Sequence, residues 1–245
     1  MRRSITLLGT SILALVAMPA AAQDASPAMS PGTGTAMVRV LHASPDAPEV
    51  DIYLDGAAVG APLAALSFGA ISPYVPVPAG PHAVKVCATA DATVCPIDVP
   101  ELTVEDGMSY TIAATNALAS IEAQVLVDTT TPDPANALVR VVHFSADAPA
   151  VDVLTQDGAS TVVSALAYPN ATEYLALPAG SYDLKVCANA DTTVCPIDPP
   201  ALDLAAGTVS SVFAIGSLEG GTITAIVASD ATMPALSPAA SADAM

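Results

Sequence analysis

Apolar and polar residues alternate with period two along most of this chain. Val38 and Val40 share one face, Val50, Ile52 and Leu54 another; Val75 with Val77, Val84 with Val86, and Tyr110 with Ile112 repeat the pattern. Successive side chains of a strand point to opposite sides, so each run predicts a short strand with one buried face. Turn clusters separate the runs: "SPDAP", "LDG", "PAG" and "EDG", then "TQDG", "PAG" and "LAAG". No long stretch carries the 3.6-residue period of an amphipathic helix. About seven short strands per hundred residues predict an all-β chain built from antiparallel β-sandwiches. "GAPLAAL", residues 60–66, fits either a short helix or an edge strand.

The pattern occurs twice. Val38 to Asp51 maps onto Val139 to Asp152 with an offset of 101, which becomes 102 at Gly56/Gly158 and 100 at Gly80/Gly180. Slips of one or two residues belong in loops, where added length costs little. The predicted layout is a signal peptide (1–22), a disordered linker (23–36), sandwich repeat 1 (37–131), a linker (132–138), sandwich repeat 2 (139–232) and a disordered tail (233–245). Each repeat is long enough to bury a core of its own.

The signal peptide follows from Arg2 and Arg3, the apolar run "SITLLGTSILALVAM" and the small residues Ala20 to Ala22 before Gln23. It predicts an exported chain, periplasmic or secreted. No second apolar run reaches the roughly 20 residues of a spanning helix, and a chain without Trp lacks the aromatic girdles of an outer-membrane barrel. All 24 acidic residues lie beyond residue 22, against four of the six basic ones, which gives the mature chain a formal charge of −20. That charge argues against nucleic acid or an anionic membrane as partner. The four remaining bases are Arg39, Lys85, Arg140 and Lys185, matched pairwise by the repeat within "VRV" and "VKV". They are expected on exposed strand faces, paired with acids such as Asp51 or Asp152, where each pair contributes about 0–1 kcal/mol.

Cysteines occur as Cys87/Cys95 and Cys187/Cys195. Four cysteines allow three connectivities, and the repeat selects the local pairs because each copy carries its own two. Export favours their oxidation. The spacing is neither that of a zinc site nor of a C-x-x-C redox pair.

The most specific stretch is H-x-S-x-D-A-P-x-V-D: His42, Ser44, Asp46, Pro48 and Asp51, then His143, Ser145, Asp147, Pro149 and Asp152. Alternate residues on a strand lie about 7 Å apart, whereas a nucleophile needs its base at about 3 Å. No nucleophile elbow accompanies the motif. The residues are instead expected to build a strand-to-turn junction. Ser44 and Asp46 cap the turn, Pro48 fixes it, and His42 bonds a turn carbonyl or Asp46. Divalent cation binding, with Ca²⁺ foremost, is the alternative, using His42, Asp46, Asp51 and Asp55 and in the second copy His143, Asp147, Asp152 and Asp157. The stretch lacks the alternating acids and central Gly of a linear Ca²⁺ loop. His82 has no counterpart histidine, since Tyr182 stands there. The six tyrosines fit core packing better than a sugar platform.

"VRVLHASPDAPEVDIYLDG" followed by "YVPVPAGPHAVKV" resembles the secreted bacterial repeats grouped as domain-of-unknown-function family 4397, here in tandem over residues 37–232. The resemblance implies extracytoplasmic β-rich modules near the cell envelope with no established reaction. The "PAG…VKV" segment also resembles prealbumin-like and immunoglobulin-like sandwiches, a likeness of fold alone. The expected function is therefore non-enzymatic and without cofactor: a module for envelope, matrix or surface interaction with a protein or glycan partner.

Overall fold

The computed structural model describes residues 34–232. The signal-peptide and tail assignments, and nearly all of the first linker, lie outside the described residues. The first repeat contains β1 (Thr35–His42), β2 (Val50–Leu54), β3 (Ala57–Ala58), β4 (Val75–Pro78), β5 (Gly80–Ala88), β6 (Ile97–Val104), β7 (Ser109–Thr115), a single 3-10 turn (Leu118–Ser120) and β8 (Glu122–Asp128). The second contains β9 (Ala137–Phe144), β10 (Val151–Thr155), β11 (Thr161–Leu166), β12 (Leu175–Leu177), β13 (Gly180–Tyr182), β14 (Leu184–Ala188), β15 (Leu202–Leu204), β16 (Thr208–Ile215) and β17 (Thr224–Thr232). β9 begins at Ala137, so the expected linker 132–138 ends two residues early.

Each repeat is a two-sheet sandwich, and none of the sheets closes into a barrel. In the first, sheet β4-β1-β7-β8 faces sheet β3-β2-β5-β6. In the second, β12-β9-β16-β17 faces β11-β10-β14 and the separate ribbon β13-β15. Pairing is antiparallel except that β1 runs parallel to β7 and β9 parallel to β16. The chain visits the other sheet between these strands, so no hairpin forces the antiparallel sense. "GAPLAAL" is neither helix nor edge strand: it is a run of turns whose Leu63 and Leu66 are buried. Its Pro62 removes a ladder donor, whereas the second repeat forms β11 there without a proline.

The described residues belong to one compact unit, because the two sandwiches share a third core. Even-numbered β1 residues (Val38, Val40) pack inside the first sandwich with Tyr110 and Ile112. The odd-numbered ones point the other way: Leu41, with Ala43 and Ala113, packs against Val142, Phe144, Phe213 and Ile215 of the second repeat. The architecture is thus four sheet layers deep, with β7 buried along its whole length. Central strands covered on both faces lose the polar-out alternation. The Phe144 and Phe213 rings stack with centroids 6.1 Å apart; truncating either to Ala costs about 3–5 kcal/mol.

Candidate functional site

β1 ends at His42 with the imidazole on the sandwich-facing side, 0% exposed. Its Nε2 lies 3.0 Å from the Pro48 carbonyl oxygen across the turn. His143, at the end of β9, places Nε2 3.0 Å from the Pro149 carbonyl. Burial is the main influence on His143 and pushes its pKa down, partly offset by the Pro149 contact. Neither serine hydroxyl is hydrogen-bonded to its imidazole. Ser44 Oγ and His42 Nδ1 are buried without a hydrogen bond. Ser145 approaches His143 Nδ1 through its backbone N–H at 3.3 Å, while its hydroxyl donates to Asp147.

The motif aspartates reach across the fold and do not cap their own turn. Asp46 accepts the Leu118 N–H at 2.7 Å, 72 residues on, at the start of the 3-10 turn after β7. Asp147 accepts from Leu218 N (2.9 Å), Glu219 N (2.9 Å) and Ser217 Oγ (2.7 Å) after β16. Burial pushes the Asp147 carboxyl up, but the bonds from Ser217, Glu219, Leu218 and Ser145 outweigh it and hold its pKa below the usual carboxylate range. Asp51 accepts the Ala65 N–H at 2.7 Å and Asp152 the Ala165 N–H at 2.7 Å. Both alanines adopt φ near +50°, a conformation that strains any residue with a Cβ by roughly 1–2 kcal/mol. The motif therefore joins three loops at one end of each sandwich. Pro48 and Pro149 supply the carbonyl each ring needs.

The arginines depart furthest from expectation. Arg39 is 2% exposed and Arg140 4%; neither pairs with Asp51 or Asp152. Arg39 Nη2 donates to Asp230 of the second repeat, with Nε on Thr111 Oγ1 at 2.8 Å and Nη1 on the Ser229 carbonyl at 3.1 Å. Reciprocally, Arg140 Nη2 donates to Asp128 of the first repeat at 2.5 Å and Nη1 to the Val127 carbonyl at 2.9 Å. Tyr74 OH donates to Asp128 and Tyr174 OH to Asp230, each at 2.7 Å. Each tyrosine ring also lies beneath a guanidinium, at 4.6 Å for Arg39 and 4.8 Å for Arg140. Burial first, and the adjacent carboxylates with it, push both phenol pKa values far up. Two opposite charge pairs thus sit between the sandwiches with their hydrogen bonds completed by Thr111 and Ser211. The positions that the sequence reading missed, Asp128, Asp230, Tyr74 and Tyr174, are themselves matched between the repeats. That match was the available signal.

Elsewhere, Lys85 forms an exposed pair with Asp98 at 2.6 Å, and Lys185 donates to the Gln156 carbonyl at 3.0 Å. His82 bridges Asp55 and the Pro78 carbonyl, each at 2.7 Å, and Tyr182 reaches the matching Pro178 carbonyl at 2.8 Å. Cys87–Cys95 and Cys187–Cys195 are disulfide-bonded. The acids named for Ca²⁺ are held on separate segments, Asp157 by Thr155 and Ala159. Among the described residues no group of three or more His, Cys, Asp or Glu is arranged to hold a metal ion, and no helix is long and apolar enough to cross a membrane.

A search of curated proteins found no match. The profile of the family described as Domain of unknown function (DUF4397) matches residues 36–154 and again 137–242. The two matches overlap over residues 137–154, from the start of β9 into β10, and between them they span both motif junctions. The chain belongs to the DUF4397 family and carries its domain in tandem.

Proposed function

We propose that this protein is an exported, non-enzymatic module that acts by presenting the outer surface of a rigid double sandwich to an envelope, matrix or extracellular partner, protein or glycan. The observation that supports this reading is the use made of the shared motif: both imidazoles are buried against turn carbonyls, and their neighbouring carboxylates are consumed in holding loops. A general base must reach a substrate proton, and these rings face the core. The signal-like leader, the acidic surface and the two disulfides accord with work outside the cytoplasm.

The test joins location with chemistry. Fractionation of native cells followed by intact-mass measurement is expected to find a species beginning at Gln23 outside the cytoplasm. Ester and glycoside probes are expected to turn over no faster with the wild type than with His42→Ala/His143→Ala. A full-length cytoplasmic species, or turnover lost in the folded double variant, overturns the proposal. Divalent cation binding is settled by melting in Ca²⁺ against chelator: a shift of several degrees abolished by the chelator replaces this reading with a Ca²⁺-dependent one.

A further inference from the structure

The two repeats differ where the family motif plays no part. The first has one continuous core cluster spanning both its sheets. In the second, the core splits in two, one cluster around Val151, Val153 and Val186 and another around Ala137, Val139 and Leu204. Between them lies an apolar cavity of about 90 Å³, walled by Val141, Val212, Leu177, Leu184 and Leu202. Exposed Pro200 and Val227 also line it, so it opens to solvent at that edge.

Two substitutions between the copies open space here, against larger side chains at four lining positions, Leu175, Leu177, Leu184 and Leu204, where the first copy has Val75, Val77, Val84 and Val104. Tyr110, which pairs with Val38 and fills the first core, is replaced by Ser210, which pairs with the matching Val139. Val99, which pairs with Val84 within an unbroken β6, becomes Pro199, followed by Pro200. Proline cannot donate to the ladder, so the outer sheet of the second repeat separates into β14 and the ribbon β13-β15.

We infer that the second repeat is a binding site for the short alkyl chain of a non-anionic amphiphile. Apolar-walled space of this kind takes up small hydrocarbon groups, and each methylene buried tightens binding about four-fold. An anionic head is disfavoured at the rim: Asp183, Asp198 and Asp203, all exposed, adjoin lining residues in sequence against one base, Lys185, and together repel a carboxylate. The inference holds whether or not the chain is exported.

Methyl-resolved NMR of the folded protein with 1-butanol, 1-hexanol and 1-octanol tests it. Methyl signals of Val212, Leu177 and Leu184 should shift with affinity rising along the series, while those of Val40 and Ile112 in the first repeat stay still. Hexanoate at low salt should bind at least several-fold more weakly than 1-hexanol. Ser210→Tyr, which restores the residue of the first repeat, should abolish the shifts; Val212→Ile, the gentler filling change, should weaken them. Absent shifts, equal shifts in both repeats, undiminished binding in both folded variants, or equal affinity for hexanoate overturns it.

Discussion

Replacing Asp230 by Asn removes one charge and almost no volume, and it isolates what the inter-repeat network contributes. The Asp230 carboxylate is fully buried and accepts from Arg39, from Ser211 Oγ at 2.6 Å and from Tyr174 OH at 2.7 Å. All three donate to the carboxylate, and an amide NH₂ facing Ser211 and Tyr174 obliges those hydroxyls to accept instead, at the expense of their present bonds. Arg39, with 3% of its side chain exposed, keeps its charge without a compensating neighbour at contact distance; Asp128 lies 3.8 Å away and is engaged by Arg140. Breaking one side of a buried pair costs about 3–5 kcal/mol. The orphaned hydroxyl belongs to the same network, so its own 1–3 kcal/mol does not simply add. Against a typical stability of about 5–15 kcal/mol, Asp230→Asn should move the urea midpoint down by roughly 1.5–2.5 M at a slope near 2 kcal/mol/M. Tyrosine fluorescence and far-UV circular dichroism report it in a chain without Trp. The double change Arg39→Met/Asp230→Leu removes both charges and should recover much of the loss, because apolar replacement of a buried pair is often neutral. A midpoint within 0.5 M of wild type for Asp230→Asn (roughly 1 kcal/mol at that slope), or a double variant no better than the single, refutes the reasoning.

His42→Ala deletes a fully buried ring and its contact with Pro48, and should cost about 2–4 kcal/mol in urea unfolding; an unchanged midpoint removes the structural role. Although partial burial favours the neutral ring, the contacts to Asp55 and the Pro78 carbonyl raise the His82 pKa, while His82 and Ala83 lower that of Asp55. The His82 contribution is therefore complete below about pH 6.5 and lost as pH rises through the higher folded value, and the Asp55 contribution is lost as pH falls through its lowered value. His143, with its lowered pKa, works in the opposite sense near neutrality, so the informative measurement is the slope of stability from about pH 6 to 8 in wild type minus that in His82→Tyr; identical slopes refute the claim. Replacing Cys87 and Cys95 together by Ala opens a nine-residue loop and should cost about 2.5 kcal/mol, with a similar loss for Cys187 and Cys195; mass spectrometry under non-reducing conditions confirms the pairing.

The strands were legible because each has at least one face whose burial demands alternation, and the local cysteine pairs because each copy holds only two cysteines, at a sequence separation of 8. What the repeat could not convey was which faces meet. Val-Arg-Val reads as a strand with a solvated arginine, since one long charged side chain between valines is the usual mark of an exposed face. Here Arg39 and Arg140 point into a second layer of protein. The clue lay on other strands, in Asp128, 12 residues before Arg140, and in Asp230, 191 residues after Arg39, where no periodicity within a strand could join them. Asp46 poses the same difficulty: its position beside Pro45 suggests a local turn cap, yet its acceptor is used by Leu118. Local chemistry fixes what a carboxylate can do; topology decides for whom.

The paired network also gives duplication a physical logic. Arg39 of the first copy meets Asp230 of the second, and Arg140 of the second meets Asp128 of the first. An exchange of this form is what an isologous two-fold contact produces, each surface offering the cation the other lacks. Within one chain the two copies are held at high effective concentration, so the cost of bringing the surfaces together is largely removed. The symmetry is then free to decay where it no longer matters for pairing. Ala113 in the first copy is Phe213 in the second, both within the shared core, and Tyr110 has become Ser210 on the opposite side of the same strand. The charged pairs, by contrast, remain matched, because a guanidinium buried without its carboxylate destabilises the joint strongly, whereas apolar residues can be exchanged for one another with repacking. Matching kept at the charged pairs, with divergence in the apolar residues on both faces of the same strand, is the pattern expected when the buried charges hold the joint and the second repeat is released to acquire a pocket.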